Sequence, residues 1–252
     1  MKIIAVANQK GGVGKTASVA SLAAALASAR QRVLVVDGDP QGNLSLVMGV
    51  PATDDRLTTY DLLLNPDVAV ADCALAVPWG KAAVVPTDVR LAAAEVELAT
   101  APDRLLRLRA KLHRRLPFDY VLLDTPPSLG FLTLNALAAA DDVLIPVQCS
   151  YLAMQGLRQL LETIDAVRAH GNPDLRVLGV LLTMYDPRTL HTQQVEQRLL
   201  DHFGDLVFAT RIRRSVVFDY ATVAGEPVPV HRPDSPGAQA YIQLAREVMA
   251  RA

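Results

Sequence analysis

The chain has 252 residues, of which 51% are hydrophobic and 20% are charged, and its 25 Lys and Arg nearly balance its 26 Asp and Glu. This composition excludes an intrinsically disordered chain, and a net charge of −1 provides no overall field that would attract a polyanion. A chain of this length buries enough surface to fold without disulfides or a structural metal, and we expect one domain over residues 1–252.

Short apolar runs that end in Asp, Asn or Pro alternate with longer segments of helical period, which is typical of a parallel α/β sheet. The predicted strands cover 3–7, 32–37, 82–86, 120–124, 142–147 and 176–183. The predicted helices cover 16–29, 102–116, 132–140, 152–170, 190–203 and 238–250. Residues 51–79 contain turn signals around a short helix at 60–64, and we expect a surface excursion there. The fold class is α/β, a doubly wound, mainly parallel sheet with helices on both faces.

The first predicted strand is followed by the segment KGGVGKT at residues 10–16, directly before the first predicted helix. Glycines at 11, 12 and 14 allow backbone N–H groups to approach phosphate oxygens, and the helix N-terminus adds partial positive charge. Lys15 is expected to reach the β and γ phosphates, and the Thr16 hydroxyl to bind Mg²⁺. The general pattern GxxxxGK[ST] has its first glycine at position 9, where this chain has Gln9.

Two acidic motifs follow the ends of later strands. Asp37 and Asp39 lie in VVDGDPQGN at residues 35–43, at the edge where parallel sheets bind their ligands. Asp124 ends the apolar run YVLLD and precedes Thr125-Pro126-Pro127, which fits the Walker-B acid that holds Mg²⁺ through a water. A helix cap and a turn acid are the structural alternative for Asp37 and Asp39.

Together with a second lysine, Lys10, these motifs resemble the ParA and MinD superfamily of dimerising ATPases, which has a deviant phosphate loop. The resemblance continues through LLTMYDPRT at 181–189 and HRPDSPGAQAYIQLAREV at 231–248, and DPQGN is closer to the ParA branch. It implies that ATP and Mg²⁺ are bound, and that Lys10 reaches the partner's ATP in a sandwich homodimer. It also implies that Asp39 acts on the attacking water. The expected catalytic residues are Lys10, Lys15 and Asp39. The expected nucleotide-binding residues are Lys10, Gly11, Gly12, Val13, Gly14, Lys15, Thr16, Ala17 and Met184. The expected Mg²⁺ residues are Thr16, Asp124 and, in the outer shell, Asp37.

The resemblance to the ParA branch further implies a grip on non-specific DNA and an activating ParB-like centromere-binding partner. Arg188 matches one DNA-contacting arginine of that branch, whereas Val217 stands where a second arginine is usual. The cluster Arg211, Arg213 and Arg214 could supply the missing charge from a shifted position. A solvated basic edge is the alternative for this cluster.

Three alternatives to the ParA branch depend on other features of the chain. A MinD-like membrane-cycling ATPase needs a C-terminal amphipathic helix rich in Lys or Arg, but only Arg246 and Arg251 are cations after Pro236. A helix packed on the domain is therefore favoured, with no stable membrane anchor. An iron–sulfur carrier would need cysteines at a dimer interface, which Cys73 and Cys149 do not suggest. A metabolic ligase on the same fold stays open.

The expected location is the cytoplasm, in association with the nucleoid. The N-terminus has too short an apolar stretch for a signal peptide, and no run approaches the roughly 20 apolar residues of a membrane span. Cys73 and Cys149 lie far apart without a CxxC motif, as expected for reduced structural thiols.

Overall fold

The computed structural model describes residues 1–51, 53, 55–149 and 153–252, without the side chains of Ala153 and Gln155. Its strands form one sheet in the order β3-β4-β2-β5-β1-β6-β7-β8. Every neighbouring pair is parallel except the edge pair β3 and β4. The strands are β1 (Lys2–Val6), β2 (Val33–Asp37), β3 (Leu75–Ala76), β4 (Ala82–Val85), β5 (Tyr120–Asp124), β6 (Asp142–Gln148), β7 (Arg176–Tyr185) and β8 (Val207–Arg213). The predicted fold class is confirmed.

Helices cover both faces of this sheet. Alternate residues of β1 show this directly, because Ile3 and Ala5 belong to one buried cluster, whereas Ile4 and Val6 belong to the other. The helices are α1 (Lys15–Ser28), α2 (Asn43–Val47), α3 (Thr59–Leu64), α4 (Val70–Cys73), α5 (Leu91–Ala99), α6 (Arg107–Leu112), α7 (Phe131–Ala139), α8 (Ala153–His170), α9 (Leu190–Phe203), α10 (Val217–Ala224), α11 (Val228–His231) and α12 (Pro236–Arg251).

The structure corrects two of the predictions about secondary structure and adds elements that were not predicted. The predicted helix over 102–116 is reduced to α6, because residues 102–106 form turns. The segment 51–79 is more than a surface excursion, since its described part supplies α3, α4 and β3 and places Leu62 and Val70 in the core. The elements β8, α5 and α10 were not predicted. Leu152, the first residue of the predicted helix 152–170, lies outside the described residues.

The C-terminal helix α12 packs on the sheet, as its sequence predicted. Its side chains Tyr241, Leu244 and Val248 are buried in the same cluster as the apolar residues of α1. Among the described residues, no helix combines the length and hydropathy that are needed to cross a bilayer.

A run of basic residues at 104–115 has a structural use that its sequence does not show. Helix C-termini leave backbone carbonyls without partners and carry a partial negative charge. Cations of this run supply those partners for three helices. Arg104 donates to Ala99 O of α5 at 3.1 Å, Arg107 to Leu64 O of α3 at 3.3 Å, and Arg109 to Ala138 O of α7 at 2.8 Å.

Of these cations, Lys111 donates to the most backbone carbonyl groups. Its Nζ donates to the carbonyl oxygens of Asn65, Pro66 and Val68 at 2.8, 2.8 and 2.6 Å, just beyond the end of α3. Burial of the ammonium group lowers the pKa of Lys111. The three hydrogen bonds fix the turn that leads from α3 to α4.

We expect Lys111→Met to lower the free energy of unfolding by about 2–3 kcal/mol, because it leaves three carbonyl groups without their donor. For a chain of this size this corresponds to a fall in Tm of about 5–10 °C, measured by differential scanning calorimetry. Lys81→Met is the matched control, because Lys81 is exposed. A Lys111→Met protein that melts together with the Lys81→Met protein would contradict this role.

Candidate functional site

The loop between β1 and α1 has the conformation that its glycines predict. Gly12 and Gly14 have φ values of 71° and 84°, in the left-handed region that favours glycine, and Gly14 caps the N-terminus of α1. Val13 is buried, and its carbonyl accepts a 2.8 Å hydrogen bond from Thr183 Oγ1 of β7. The loop is therefore anchored to the sheet directly before the start of α1.

The two lysines of the loop point to different parts of the site. Lys15 is 6% exposed, and its Nζ lies 3.3 Å from the carbonyl oxygen of Lys10. Burial lowers the pKa of Lys15, and the carboxylates of Asp124 and Asp39 oppose that shift. Lys10 Nζ donates to Gln148 Oε1 at the end of β6, at 3.1 Å.

Two of the predicted carboxylates are neighbours across the sheet. The register of β2 and β5 places Asp37 directly beside Asp124. Burial, together with the charge of Asp37, raises the pKa of Asp124, which accepts a 2.8 Å hydrogen bond from Thr16 Oγ1. Burial likewise raises the pKa of Asp37 to about 6, although its Oδ2 accepts hydrogen bonds from Ser45 N and Oγ at 2.8 and 2.6 Å.

Gly38 was not predicted as a site residue, but it makes this approach of the two strands possible. A Cβ atom at position 38 would lie 2.5 Å from the carbonyl oxygen of Asp124. The sequence signal for this role is the glycine between the two acids of DGD, because the backbone at that position passes next to the neighbouring strand. Asp39 follows on the far side of Gly38, and its Oδ1 accepts a hydrogen bond from Gln41 N at 3.0 Å.

A cavity of about 910 Å³ opens in front of the loop and the carboxyl ends of the strands. Its walls come from the loop glycines, Lys15, Thr16 and Ala17, from Asp39 and α2, from Met184, and from the end of β8 with α10. Four of the predicted nucleotide and Mg²⁺ residues, all within the described part of the chain, do not line it: Lys10, Val13, Asp37 and Asp124. The volume is in the range of small-molecule and cofactor sites.

The cavity lining that comes from the second half of the chain was found only in part from the sequence. Met184, which we expect to contact the nucleotide, lines the cavity there, with a φ of 50° that is unusual for a residue other than glycine. Phe218 and Tyr241 also line it, with their rings in an edge-to-face contact at 6.1 Å. The Tyr241 hydroxyl lies 2.9 Å from Ser18 Oγ of α1. These residues come from elements that are distant along the chain, so local spacing gave no signal for them.

The donor set at the end of β5 fits a magnesium ion. Thr16 Oγ1 and Asp124 Oδ2 are already paired, and the buried carboxylates of Asp37 and Asp124 repel one another unless a cation or protons offset their charge. Among the described residues there is no cluster of three or more His, Cys, Asp or Glu side chains that could hold a metal by themselves. Magnesium suits such a site, because it is usually bound by one or two protein ligands with waters and substrate phosphates.

Comparisons with known proteins agree with this geometry. A family model described as an AAA domain matches residues 1–177. The Soj chromosome-partitioning ATPase of Thermus thermophilus is 50% identical over 98% of this chain and 95% of its own length. The chromosome partitioning protein ParA of Caulobacter vibrioides is 44% identical over the whole chain and 95% of its own length. The chain belongs to the ParA/Soj family of partitioning ATPases.

One solved structure that is similar to this ParA/Soj family member is not named as a partitioning protein. It is described as cobyrinic acid a,c-diamide synthase from Mycobacterium smegmatis with a bound ATP analogue and magnesium. It is 39% identical, covers 98% of this chain and 93% of its own, and superposes with a TM-score of 0.84. That structure shows the same fold with a nucleotide and a metal bound.

The arginines predicted to bind DNA differ in how exposed they are in this ParA/Soj family member. Arg188 is 86% exposed, and its guanidinium forms two hydrogen bonds with Asp186. Arg213 and Arg214 are exposed at the end of β8, where they line the cavity. Arg211, which we expected to supply DNA-binding charge with them, is only 19% exposed, and its Nε donates to Glu196 of α9 at 2.8 Å, so its guanidinium is less available than those of Arg213 and Arg214.

Proposed function

We propose that the protein is an ATP-dependent DNA-partitioning switch, a single ATPase domain over residues 1–252 that binds ATP and Mg²⁺, dimerises and grips non-specific DNA. Slow hydrolysis, stimulated by a ParB-like partner, then releases the dimer from the nucleoid. The observation that supports this most strongly is the position of buried Lys15. It lies at the start of α1, where the glycine loop ends, and it faces the carboxylates of Asp124 and Asp39. Family membership supports the partitioning role.

In this proposal the loop holds the phosphates. The backbone N–H groups of Gly11, Gly12 and Gly14 and the N-terminus of α1 supply donors and partial positive charge, and Lys15 supplies a full charge. Thr16 and Asp124 hold the magnesium ion, and Asp37 adds its charge from behind while it fixes α2 through Ser45. When bound, the ion neutralises charge on the β and γ phosphates.

Two further residues act on hydrolysis and on the dimer. Asp39 lines the cavity and is fixed by its turn, and we assign it the orientation of the attacking water and the acceptance of its proton. In the structure Lys10 Nζ donates to Gln148 Oε1. In the proposed dimer, we assign to the Lys10 ammonium a contact with the ATP bound by the partner subunit. Catalysis of phosphoryl transfer consists mostly of such positioning and charge stabilisation.

The proposed DNA surface consists of Arg188, Arg213 and Arg214. Arg213 and Arg214 are exposed and also line the nucleotide cavity. A change in the bound nucleotide could therefore change the positions of these two arginines and, through them, the affinity for DNA. Each arginine that neutralises a phosphate releases counterions, so this binding must weaken as salt rises.

We expect Arg188→Glu combined with Arg214→Glu to lower the affinity of the ATP-bound protein for a random DNA duplex by about a hundredfold at low salt. The measurement is fluorescence anisotropy with ATP and Mg²⁺ or with ADP, at two salt concentrations. Arg115→Glu is the control, because Arg115 is exposed before the amino end of β5, at the opposite edge of the sheet. Wild-type protein that binds equally with ATP and ADP, or a double variant that binds like the control, would contradict the DNA assignment.

A MinD-like role on a protein or membrane surface is the second candidate, and one observation favours it. Helix α10 and the residue before it expose Val216, Tyr220 and Val223 at 64%, 63% and 88%, on one helical face near Val217. This face is apolar where DNA contact would call for charge. Absence of DNA binding in both nucleotide states would favour this second role.

A further inference from the structure

The carboxylate of Glu95, in the middle of α5, caps the N-terminus of a different helix. Its Oε2 accepts a 2.7 Å hydrogen bond from Phe131 N, and its Oε1 a 3.2 Å hydrogen bond from Leu132 N. These are the first two amide groups of α7, whose own cap residue, Gly130, has no side chain to offer. A charged acceptor at a helix N-terminus is favoured both by the hydrogen bonds and by the helix dipole.

The Glu95 carboxylate uses the space that the missing side chain of Gly130 leaves open. A Cβ atom on Gly130 would lie 2.5 Å from Glu95 Oε1 and 2.7 Å from Oε2. The backbone of Gly130 is extended, with φ at −78°, so a larger residue at 130 would meet no backbone strain but would displace the Glu95 carboxylate. The carboxylate therefore fills the position that a side chain at 130 would occupy.

The segment between β5 and α7, residues 124–131, is consequently held at both ends. At its start, Asp124 accepts from Thr16 Oγ1, and Thr125 Oγ1 donates to Val6 O at 3.0 Å. At its far end the holding group is Glu95. Between them Pro127 lines the nucleotide cavity, and its Cβ lies 3.8 Å from where a Cβ on Gly11 would be.

The residues that lead into α5 reach the other acidic loop of the site. Thr87 N donates to Ser45 Oγ at 3.1 Å, and Ser45 Oγ in turn donates to Asp37 Oδ2 at 2.6 Å. One short stretch of chain, residues 87–95, thus contacts the supports of Asp37 at one end and the start of α7 at the other.

We propose that Glu95 is a positioning residue for ATP hydrolysis, which holds the 124–131 segment against the nucleotide cavity and joins it, through α5, to the loop of Asp37 and Asp39. It touches neither nucleotide nor metal and acts through the segment that carries Asp124 and Pro127. The inference rests on the proposed ATP site and adds the element that couples its two acidic loops.

The test compares wild type with Glu95→Gln, Glu95→Ala and the control Glu97→Gln. Glu97 lies on the same helix, is exposed and accepts a hydrogen bond from Tyr60. We expect kcat for ATP hydrolysis to fall about tenfold in Glu95→Ala and by a smaller factor in Glu95→Gln, which keeps one carbonyl acceptor. The Kd for ATP should stay within about twofold, because residues 10–17 keep their contacts. Glu97→Gln should behave like wild type.

A second readout needs no catalysis. Hydrogen exchange of the amides of 131 and 132 should be about tenfold faster in Glu95→Ala than in wild type or Glu97→Gln. Faster exchange at 131 and 132 with a graded loss of kcat at constant Kd supports the inference. Unchanged exchange overturns it, and so does faster exchange with wild-type kcat, which would leave Glu95 a merely structural cap. Wild-type protein that neither binds nor hydrolyses ATP would instead overturn the proposed function.

Discussion

Lys15→Ala should lower the affinity for ATP by about a hundredfold to a thousandfold, because it removes one partner of a buried charge pair, a change that costs about 3–4 kcal/mol. Lys15 is buried at the start of α1, where it faces Asp124 and Asp39. Its ammonium is placed to neutralise phosphate charge in a region that water reaches poorly. Titration calorimetry with a slowly hydrolysed ATP analogue and Mg²⁺ measures the loss.

Lys10→Ala is the matched control, since it removes the same chemical group from the same loop. Unlike Lys15, Lys10 does not line the cavity. We expect this variant to bind the ATP analogue with a Kd within about threefold of wild type and to lose the ATP-dependent dimer. A Lys15→Ala protein that binds as tightly as Lys10→Ala would refute the assigned role of Lys15.

The central part of the site could be predicted from the sequence because its residues are set by local spacing. The glycines, Lys15 and Thr16 occupy one strand-to-helix turn, and Asp37 and Asp124 each end a buried strand. Once the sheet is parallel, the carboxyl ends of its strands lie at one edge, so these groups must meet there. The close contact of Asp37 and Asp124 is a consequence of the β2 and β5 register.

What the sequence did not reveal depends on pairings between distant segments. Arg211 carries the same charge as Arg213 and lies on the same face of β8, yet its side chain pairs with Glu196, fifteen residues earlier. Glu95 resembles its neighbour Glu97, but it meets α7 thirty-six residues further on. The element β8 was missed because Thr210 and two arginines interrupt its apolar pattern, and α5 because only Leu91, Ala94 and Leu98 of its nine residues are buried.

Asp39→Ala should keep ATP binding and lose about a hundredfold to a thousandfold in turnover, the range for removal of a general acid or base. Asp39 lines the cavity, and its hydrogen bond to Gln41 N fixes its position beside Gly38. The loop is unchanged in this variant and Lys15 keeps Asp124 beside it, so the Kd for ATP should stay within about threefold of wild type. Phosphate release under saturating ATP measures the turnover, and titration calorimetry measures the binding.

Loss of hydrolysis with retained binding should trap the proposed dimer, because the ATP that would join its subunits is no longer consumed. Light scattering with ATP and Mg²⁺ should then find Asp39→Ala as a stable dimer under conditions in which wild type returns to monomer. Asp39→Asn is the matched control, since its amide oxygen can still accept from Gln41 N but cannot take a proton at neutral pH. If Asp39→Asn hydrolyses ATP like wild type while Asp39→Ala does not, Asp39 orients the water or the turn without accepting its proton. Wild-type turnover in Asp39→Ala would remove Asp39 from the hydrolytic step altogether.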